Sequence, residues 1–296
     1  MKNHPTNELS NHPTNLRIVF LGTPRLAQSV LENLIESDYK PQLIITGEDK
    51  KVGRGQNKSS TPVKLTAQKF KIKTSHQLPK TSDQFDLAIL VAFGHIIPKD
   101  ILDKPRFGFI NVHPSLLPKY RGPSPIQSAI LKGESKTGVT IIKLDHEVDH
   151  GPILSQREIE IEKEDTHESL IEKLGLIGSN LLLVTLPDYL SGKTKPKEQN
   201  HKDATFTEKI TKADGQIDLE NPPSKQKLER MINAFYPWPT VWAEIEAKRQ
   251  TPNAKRMRIK LLPKRLIQPE GRKPMAIEEF LNGYPNLKSK IERLTQ

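Results

Sequence analysis

Hydrophobic and polar positions follow two alternating rhythms through the first two thirds of the chain. LRIVFLG (Leu16–Gly22) is a short, continuous apolar run, the pattern of a strand covered on both faces. It stops at Thr23-Pro24, which predicts a helix with Thr23 as N-cap and Pro24 in its first turn. Leu26, Val30 and Leu34, joined by Leu31 and Ile35, then recur at the spacing of one buried helical stripe. PQLIITG, FDLAILVAFG and FGFINVH repeat the strand pattern and end at Gly47, Gly94 and His113, with helical segments between several of them. Alternation of this kind predicts a mostly parallel sheet with right-handed crossovers. Such sheets take ligands beyond the carboxyl ends of their strands, where Asn111, His113 and the turn from Phe93 to Ile97 all fall.

Further on, Pro125 to Leu131 reads as a helix and TGVTIIKLD as a strand that leads to Asp149. Asp165 with Glu168 forms a candidate capping pair. It opens a long amphipathic helix whose stripe is Leu170, Ile171, Leu174, Ile177, Leu181 and Val184. The polar stretch GKTKPKEQNHKD then reads as a linker. The expected organisation is a disordered tail over residues 1–15, an α/β domain over 16–192, a linker over 193–203 and a small basic domain over 204–296. In that last region two strands are evident after Trp242, followed by the short helical segment AIEEFLNG.

Composition adds charge to this picture. The formal net charge is +11, which implies attraction to an anionic partner. Residues 240–296 contribute +7 of it, with 13 Lys or Arg against 6 Glu. KRMRIKLL places Arg256, Arg258 and Lys260 on one face of a strand, a candidate surface for phosphates. GEDKKVGRGQNKSST, with Lys50, Lys51, Arg54 and Lys58 among glycines, reads as a mobile basic loop. No apolar run approaches a membrane span. The chain has no cysteine, which excludes disulfides and thiolate chemistry and suits a reducing cytoplasm.

The chemistry concentrates in FGFINVHPSLLPKYRG (Phe107–Gly122). Strand alternation puts Asn111 and His113 on one face, so an amide and an imidazole point together. Pro114 and Pro118 forbid an immediate helix and leave Ser115, Leu116 and Leu117 in a stiff loop whose backbone can meet a ligand. Other motifs fail on context. HEVDH (His146–His150) matches the zinc-protease pattern H-E-x-x-H, but Gly151-Pro152 follows at once and strand residues precede it, so no helix can present both histidines. Gly22-Thr23-Pro24 lacks the G-x-G-x-x-G of a dinucleotide site, and no P-loop sequence occurs.

NVHPSLLPKYRG resembles the signature of the folate-dependent formyltransferases, particularly those that act on methionyl-tRNA. The resemblance runs from about Leu16 to Trp242. It takes in Gly53-Arg54-Gly55 with Pro62-Val63-Lys64, and Pro237-Trp238-Pro239 in KLERMINAFYPWPTVWAEI, where Tyr236 stands at a position often held by Asn. The resemblance implies a Rossmann-like formyltransferase fold with a reduced, OB-like β domain at the C-terminus. It implies transfer of the formyl group of 10-formyltetrahydrofolate to the α-amine of methionyl-tRNA, with no metal and neither membrane nor DNA as partner. Asn111, His113 and Asp149 would be catalytic: Asn111 as donor to the oxyanion, His113 as a second donor, and Asp149 orienting the ring, with either of the last two taking the amine's proton. Phe93, Gly94, His95, Ile96, Ile97, Ser115, Leu116, Leu117, Pro118 and Asp149 would line the folate site. Lys50, Lys51, Arg54 and Lys58 would grip the tRNA together with Arg256, Arg258 and Lys260. Glycinamide ribonucleotide formyltransferases share the Asn, His and Asp set and are the rival within the family. A non-catalytic RNA-binding module is the rival outside it.

Overall fold

A computed structural model describes residues 16–52, 57–80, 83–247 and 255–295. The tail read over residues 1–15, and Arg54 with its flanking glycines, lie outside the described residues. In chain order the elements are β1 (Ile18–Gly22), α1 (Arg25–Ile35), β2 (Leu43–Ile45), β3 (Lys50–Val52), β4 (Asn57–Ser59), α2 (Pro62–Lys69), β5 (Lys73–Ser75), β6 (Leu87–Val91), α3 (Lys99–Leu102) and β7 (Phe109–His113). They continue through α4 (Pro125–Lys132), β8 (Lys136–Lys143), β9 (Ile153–Glu160), α5 (His167–Leu190), α6 (Lys225–Phe235), β10 (Val241–Ala247), β11 (Lys255–Leu262), β12 (Leu266–Pro269), β13 (Met275–Ala276), α7 (Ile277–Gly283) and α8 (Lys288–Thr295).

Seven strands form one sheet in the order β5-β2-β1-β6-β7-β8-β9. The pairs from β5 through β7 are parallel, and β8 runs antiparallel to β7. Successive strands lie to one side of β1 and later ones to the other, so the strand order reverses between β1 and β6, where an open α/β sheet leaves a crevice. Phe20, Leu21, Ile44, Ile45, Leu87, Ile89, Phe109 and Ile110 are fully buried, as continuous apolar runs in a sheet covered on both faces require. Gly22 closes β1 where a β-carbon would lie 2.6 Å from Ala27 Cβ and 2.9 Å from the Val91 carbonyl, so only glycine lets α1 approach the sheet.

The chain divides into two compact units that interleave in sequence. The first holds residues 1–113, 139–157 and 174–203; the second holds 114–138, 158–173 and 204–296. In the second unit β10 to β13 form an antiparallel four-stranded sheet in sequential order, and α4 packs on α6. The expectation of two strands after Trp242 is therefore short: β12 and β13 span only four and two residues and carry too little alternation to be read as strands.

Several local expectations are also corrected. Thr23 does not cap α1: Pro24 occupies the N-cap and its carbonyl accepts from Gln28 N, while Thr23 Oγ1 accepts from Gly47 N at 3.1 Å. The stretch read as a loop between Gly47 and Thr61 contains an antiparallel hairpin, β3 with β4, in which Lys51 is in register with Lys58. Val52 is its one strongly apolar residue, so no alternation marked it. Asp165 and Glu168 do not form the cap of α5. Thr166 and Ser169 do so reciprocally, Ser169 N donating to Thr166 Oγ1 and Thr166 N to Ser169 Oγ. Asp165 instead accepts from Glu162 N, Ser169 Oγ and Lys173 Nζ.

Within α5 the buried line is Leu170, Leu174, Leu182, Leu186 and Leu190, whereas Val184 is 69% exposed. Gly175 and Gly178 set that face, since added β-carbons would come within 2.9 Å of Ser29 Cβ and of Val112 Cγ1 respectively. Contrary to the expectation from apolar runs, this helix is long and apolar enough by length and composition to cross a membrane. Its line of buried leucines is that of a core helix.

Candidate active site

β6 and β7 are parallel neighbours, with Leu90 in register with Asn111, so their carboxyl ends open on the same sheet edge. From β6 the chain turns through Ala92 and Gly94, both at positive φ (46° and 77°), into the segment Phe93–Ile97. Phe93 turns inward and is buried with Leu21, Phe85 and Ile101, and its ring lies 5.1 Å from that of His95. Gly94 and His95 are exposed, and Ile96 is 81% exposed, an unusual position for a large aliphatic side chain beside a sheet edge.

β7 delivers Asn111 and His113, two residues apart, to one side of the strand, as alternation requires. The chain then returns along β8 and leaves the sheet at Leu144 for an eight-residue excursion to Gly151. Both ends are tied down: Leu144 N donates to the Phe109 carbonyl, and Lys143 N to the Pro152 carbonyl. Asp149 sits in this turn with φ 50°, an unusual backbone for a residue with a side chain. Gly151 is required by contact, because a β-carbon there would fall 1.9 Å from the Lys143 carbonyl oxygen.

These constraints bring the three residues together. Asn111 Nδ2 donates to Asp149 Oδ1 at 3.0 Å, and His113 Nδ1 lies 3.4 Å from Asp149 Oδ2. Each is nine-tenths or more buried. A buried carboxylate, imidazole and amide in one cluster form a donor set that can hold a developing negative charge and move a proton, with water largely excluded. One N–H of the Asn111 amide is committed to Asp149, which leaves the other for a ligand.

The remaining signature residues, Ser115 to Gly122, belong to the second unit. Ser115 and Leu117 are buried, Ser115 Oγ donates to the Lys119 carbonyl at 2.7 Å, and Leu117-Pro118 is cis. Arg121 pairs with the chain at Phe206: its N–H donates to the Thr205 carbonyl, and Thr207 N donates back to its own. Gly122 (φ 104°) would place a β-carbon 2.9 Å from the Thr207 carbonyl, which accounts for the glycine that ends the motif.

His146 of HEVDH lies on a bend and His150 in irregular chain, so neither is on a helix. His150 Nδ1 is 2.6 Å from Asp145 Oδ2, and its ring stacks on His201 at 3.9 Å. His201 and Gln199 belong to the stretch expected to be a linker. That stretch is bound down: Lys197 and Ile153 exchange backbone hydrogen bonds at 2.8 Å, and Gln199 is 5% exposed. Polar composition concealed it, since a lone buried glutamine among lysines has no periodic signature.

The expected cationic face of β11 is also altered. Arg258 lies 4.2 Å from the Trp242 ring centre and 3.5 Å from Glu244, and Arg256 is in register with Glu246. Among the first-unit lysines, Lys64 of the PVK sequence is paired with Asp49 at 2.8 Å.

Comparison with known proteins decides the lineage. The formyl transferase family profile matches residues 16–186, and the formyl transferase C-terminal domain profile matches 209–262. The methionyl-tRNA formyltransferase of Enterococcus faecalis is 37% identical over 301 residues, covering 90% of this chain and 96% of that protein. That of Koribacter versatilis is 36% identical over 311 residues, covering 94% and 99%. The chain belongs to the methionyl-tRNA formyltransferase family. Among solved structures, the N-formyltransferase from Helicobacter canadensis in complex with folinic acid and dTDP-3-aminofucose superposes with a TM-score of 0.65 at 19% identity, over 85% of this chain and 88% of that one. A 4-N formyltransferase from Francisella tularensis gives 0.63 at 19%, over 84% and 98%. These two likenesses establish a formyltransferase fold.

Proposed function

We propose that this formyltransferase moves the formyl group of 10-formyltetrahydrofolate onto the α-amine of methionyl-tRNA. The observation that carries the reading is the buried Asn111–His113–Asp149 cluster at the carboxyl edge of the sheet, in a chain aligned over nine-tenths of its length with methionyl-tRNA formyltransferases. The folate co-substrate supplies an activated formyl carbon. Everything else in the reaction is positioning and charge. An attacking amine must be neutral, and the formyl oxygen gains negative charge as the new C–N bond forms. The uncommitted N–H of Asn111 is suited to that oxygen, and His113 offers a second donor. The proton shed by the amine passes to the His113–Asp149 pair and on to N10 of the folate as its bond to the formyl carbon breaks, so formylated methionyl-tRNA and tetrahydrofolate leave.

Support for a folate at this edge comes from the residues themselves. The turn Phe93–Ile97 presents exposed backbone beside an exposed Ile96, apolar surface joined to hydrogen-bonding groups, which a flat heteroaromatic ring with polar edges requires. For the tRNA, Lys51 and Lys58, in register on the β3–β4 hairpin, are proposed as contacts to its phosphates. Lys50, Arg54 and Lys260 are proposed to add to that grip.

The test is acceptor choice. Purified protein, supplied with labelled 10-formyltetrahydrofolate, should label methionyl-tRNA and leave glycinamide ribonucleotide and nucleotide-linked amino sugars unlabelled. Labelling of a small acceptor in preference to methionyl-tRNA would overturn the reading.

A further inference from the structure

The turn that presents Asp149 is held from the interior by a residue outside the catalytic set. Gln199 Nε2 donates to the Asp149 carbonyl at 2.9 Å and to the Gly151 carbonyl at 2.8 Å. A primary amide carries two N–H groups on one nitrogen, so bridging two carbonyls uses the full donor capacity of this side chain. The opposite side of the turn faces solvent, with Val148 57% exposed and the Glu147 side chain 74% exposed. Asp149 itself is at positive φ (50°), a region uncommon for residues with a side chain though aspartate enters it more readily than most.

We infer that Gln199 is a positioning residue for catalysis, fixing the backbone of Asp149 so that its carboxylate meets Asn111 and His113 together. The inference rests on the catalytic reading of Asp149 given above. Gln199 is itself fixed two residues after the paired hydrogen bonds between Lys197 and Ile153, and His201 stacks on His150 just beyond. The 197–201 segment thus forms a clasp across the turn, anchored to the start of β9. Catalytic geometry is steep in distance, and a displacement near 1 Å costs about 10²-fold in rate.

The test replaces Gln199 with methionine, which has similar length and no donor, and with glutamate. In Gln199→Met, kcat should fall about 10- to 100-fold while KM for methionyl-tRNA and for the folate stays within about threefold. Ionised glutamate would oppose two carbonyl oxygens without a donor. Gln199→Glu should therefore lose more at neutral pH and recover relative to wild type on acidification, because a protonated carboxyl regains one donor. Amide hydrogen exchange over residues 144–152, measured on the same proteins, reads the clasp without reference to activity and should rise about tenfold in Gln199→Met. A lowered melting temperature with wild-type kcat would show a merely structural role and overturn the inference, as would unchanged exchange in the turn. Wild-type protein inactive on methionyl-tRNA would instead refute the functional reading, with the exchange experiment still deciding whether Gln199 holds the turn.

Discussion

The guanidinium of Arg258 sits 4.2 Å from the centre of the Trp242 ring, and the indole N–H donates onward to the Lys212 carbonyl. Glu244 lies 3.5 Å from the same guanidinium, and Glu270 accepts from the Arg258 backbone N–H. A cation stacked on an aromatic face and neighboured by carboxylates is poorly available to phosphate. Arg258→Gln should thus lower the melting temperature, by the equivalent of about 0.5–1 kcal/mol. The slope of tRNA affinity against salt should flatten by less than about half a unit, where a full phosphate contact contributes about 0.7–0.9. A loss of one unit with an unchanged melt would return Arg258 to the RNA surface.

Gly151 has no room for a side chain, since the nearest obstacle is the backbone carbonyl of Lys143 and not a side chain able to swing away. Gly151→Ala should cost about 1–3 kcal/mol by overpacking and displace Asp149 with it. A thermal melt and a turnover assay should both record the loss. Wild-type values in both would mean that the turn relaxes freely.

Thr166 caps α5 through reciprocal bonds with Ser169. Thr166→Ala should destabilise by about 1 kcal/mol. Denaturant unfolding checks it, with an unchanged midpoint as the contrary result.

His167, at the start of α5, is half-buried with its Nδ1 shut away from solvent and without a partner, and desolvation pushes its pKa down from 6.5 to about 4. The folded chain therefore refuses a proton that the unfolded chain accepts. Stability from this residue is intact above about pH 6.5, falls as the pH drops toward 4, and is level below that. The span corresponds to up to about 3 kcal/mol at 1.36 kcal/mol per unit. Replacement by leucine should flatten that part of the stability profile. Asp165 acts in a lower window: burial raises its pKa, but Lys173, Ser169 and the Glu162 N–H outweigh it, so its contribution is lost only as its depressed pKa is crossed.

Much of this was legible in the chain. β1, α1 and β7 announced themselves because buried strands and an amphipathic helix carry strong periodic signals, and Asn111 with His113 followed from strand alternation alone. Asp149 needed the family resemblance, because the contact with Asn111 spans 38 residues and depends on where β8 returns beside β7. Gln199 had no signal at all: its role comes from two carbonyls that a remote turn happens to present. The β11 segment was drawn correctly as a strand, but the partners of Arg258 lie in the register that sets Glu244 across from Arg258 and Trp242 across from Lys260. Cross-strand partners are a tertiary fact, invisible to a single strand's pattern.

The most direct test of the catalytic account is the single-turnover rate of formyl transfer to methionyl-tRNA, measured with saturating folate, for wild type, Asn111→Ala and Asp149→Asn. Removal of an oxyanion donor should slow the step about 10²- to 10³-fold in Asn111→Ala, with folate affinity and melting temperature near wild type. Asp149→Asn keeps the shape of the cluster and removes its charge, so it should also be slow by at least tenfold. Wild-type rates in both folded variants would contradict the assignment of catalysis to this cluster.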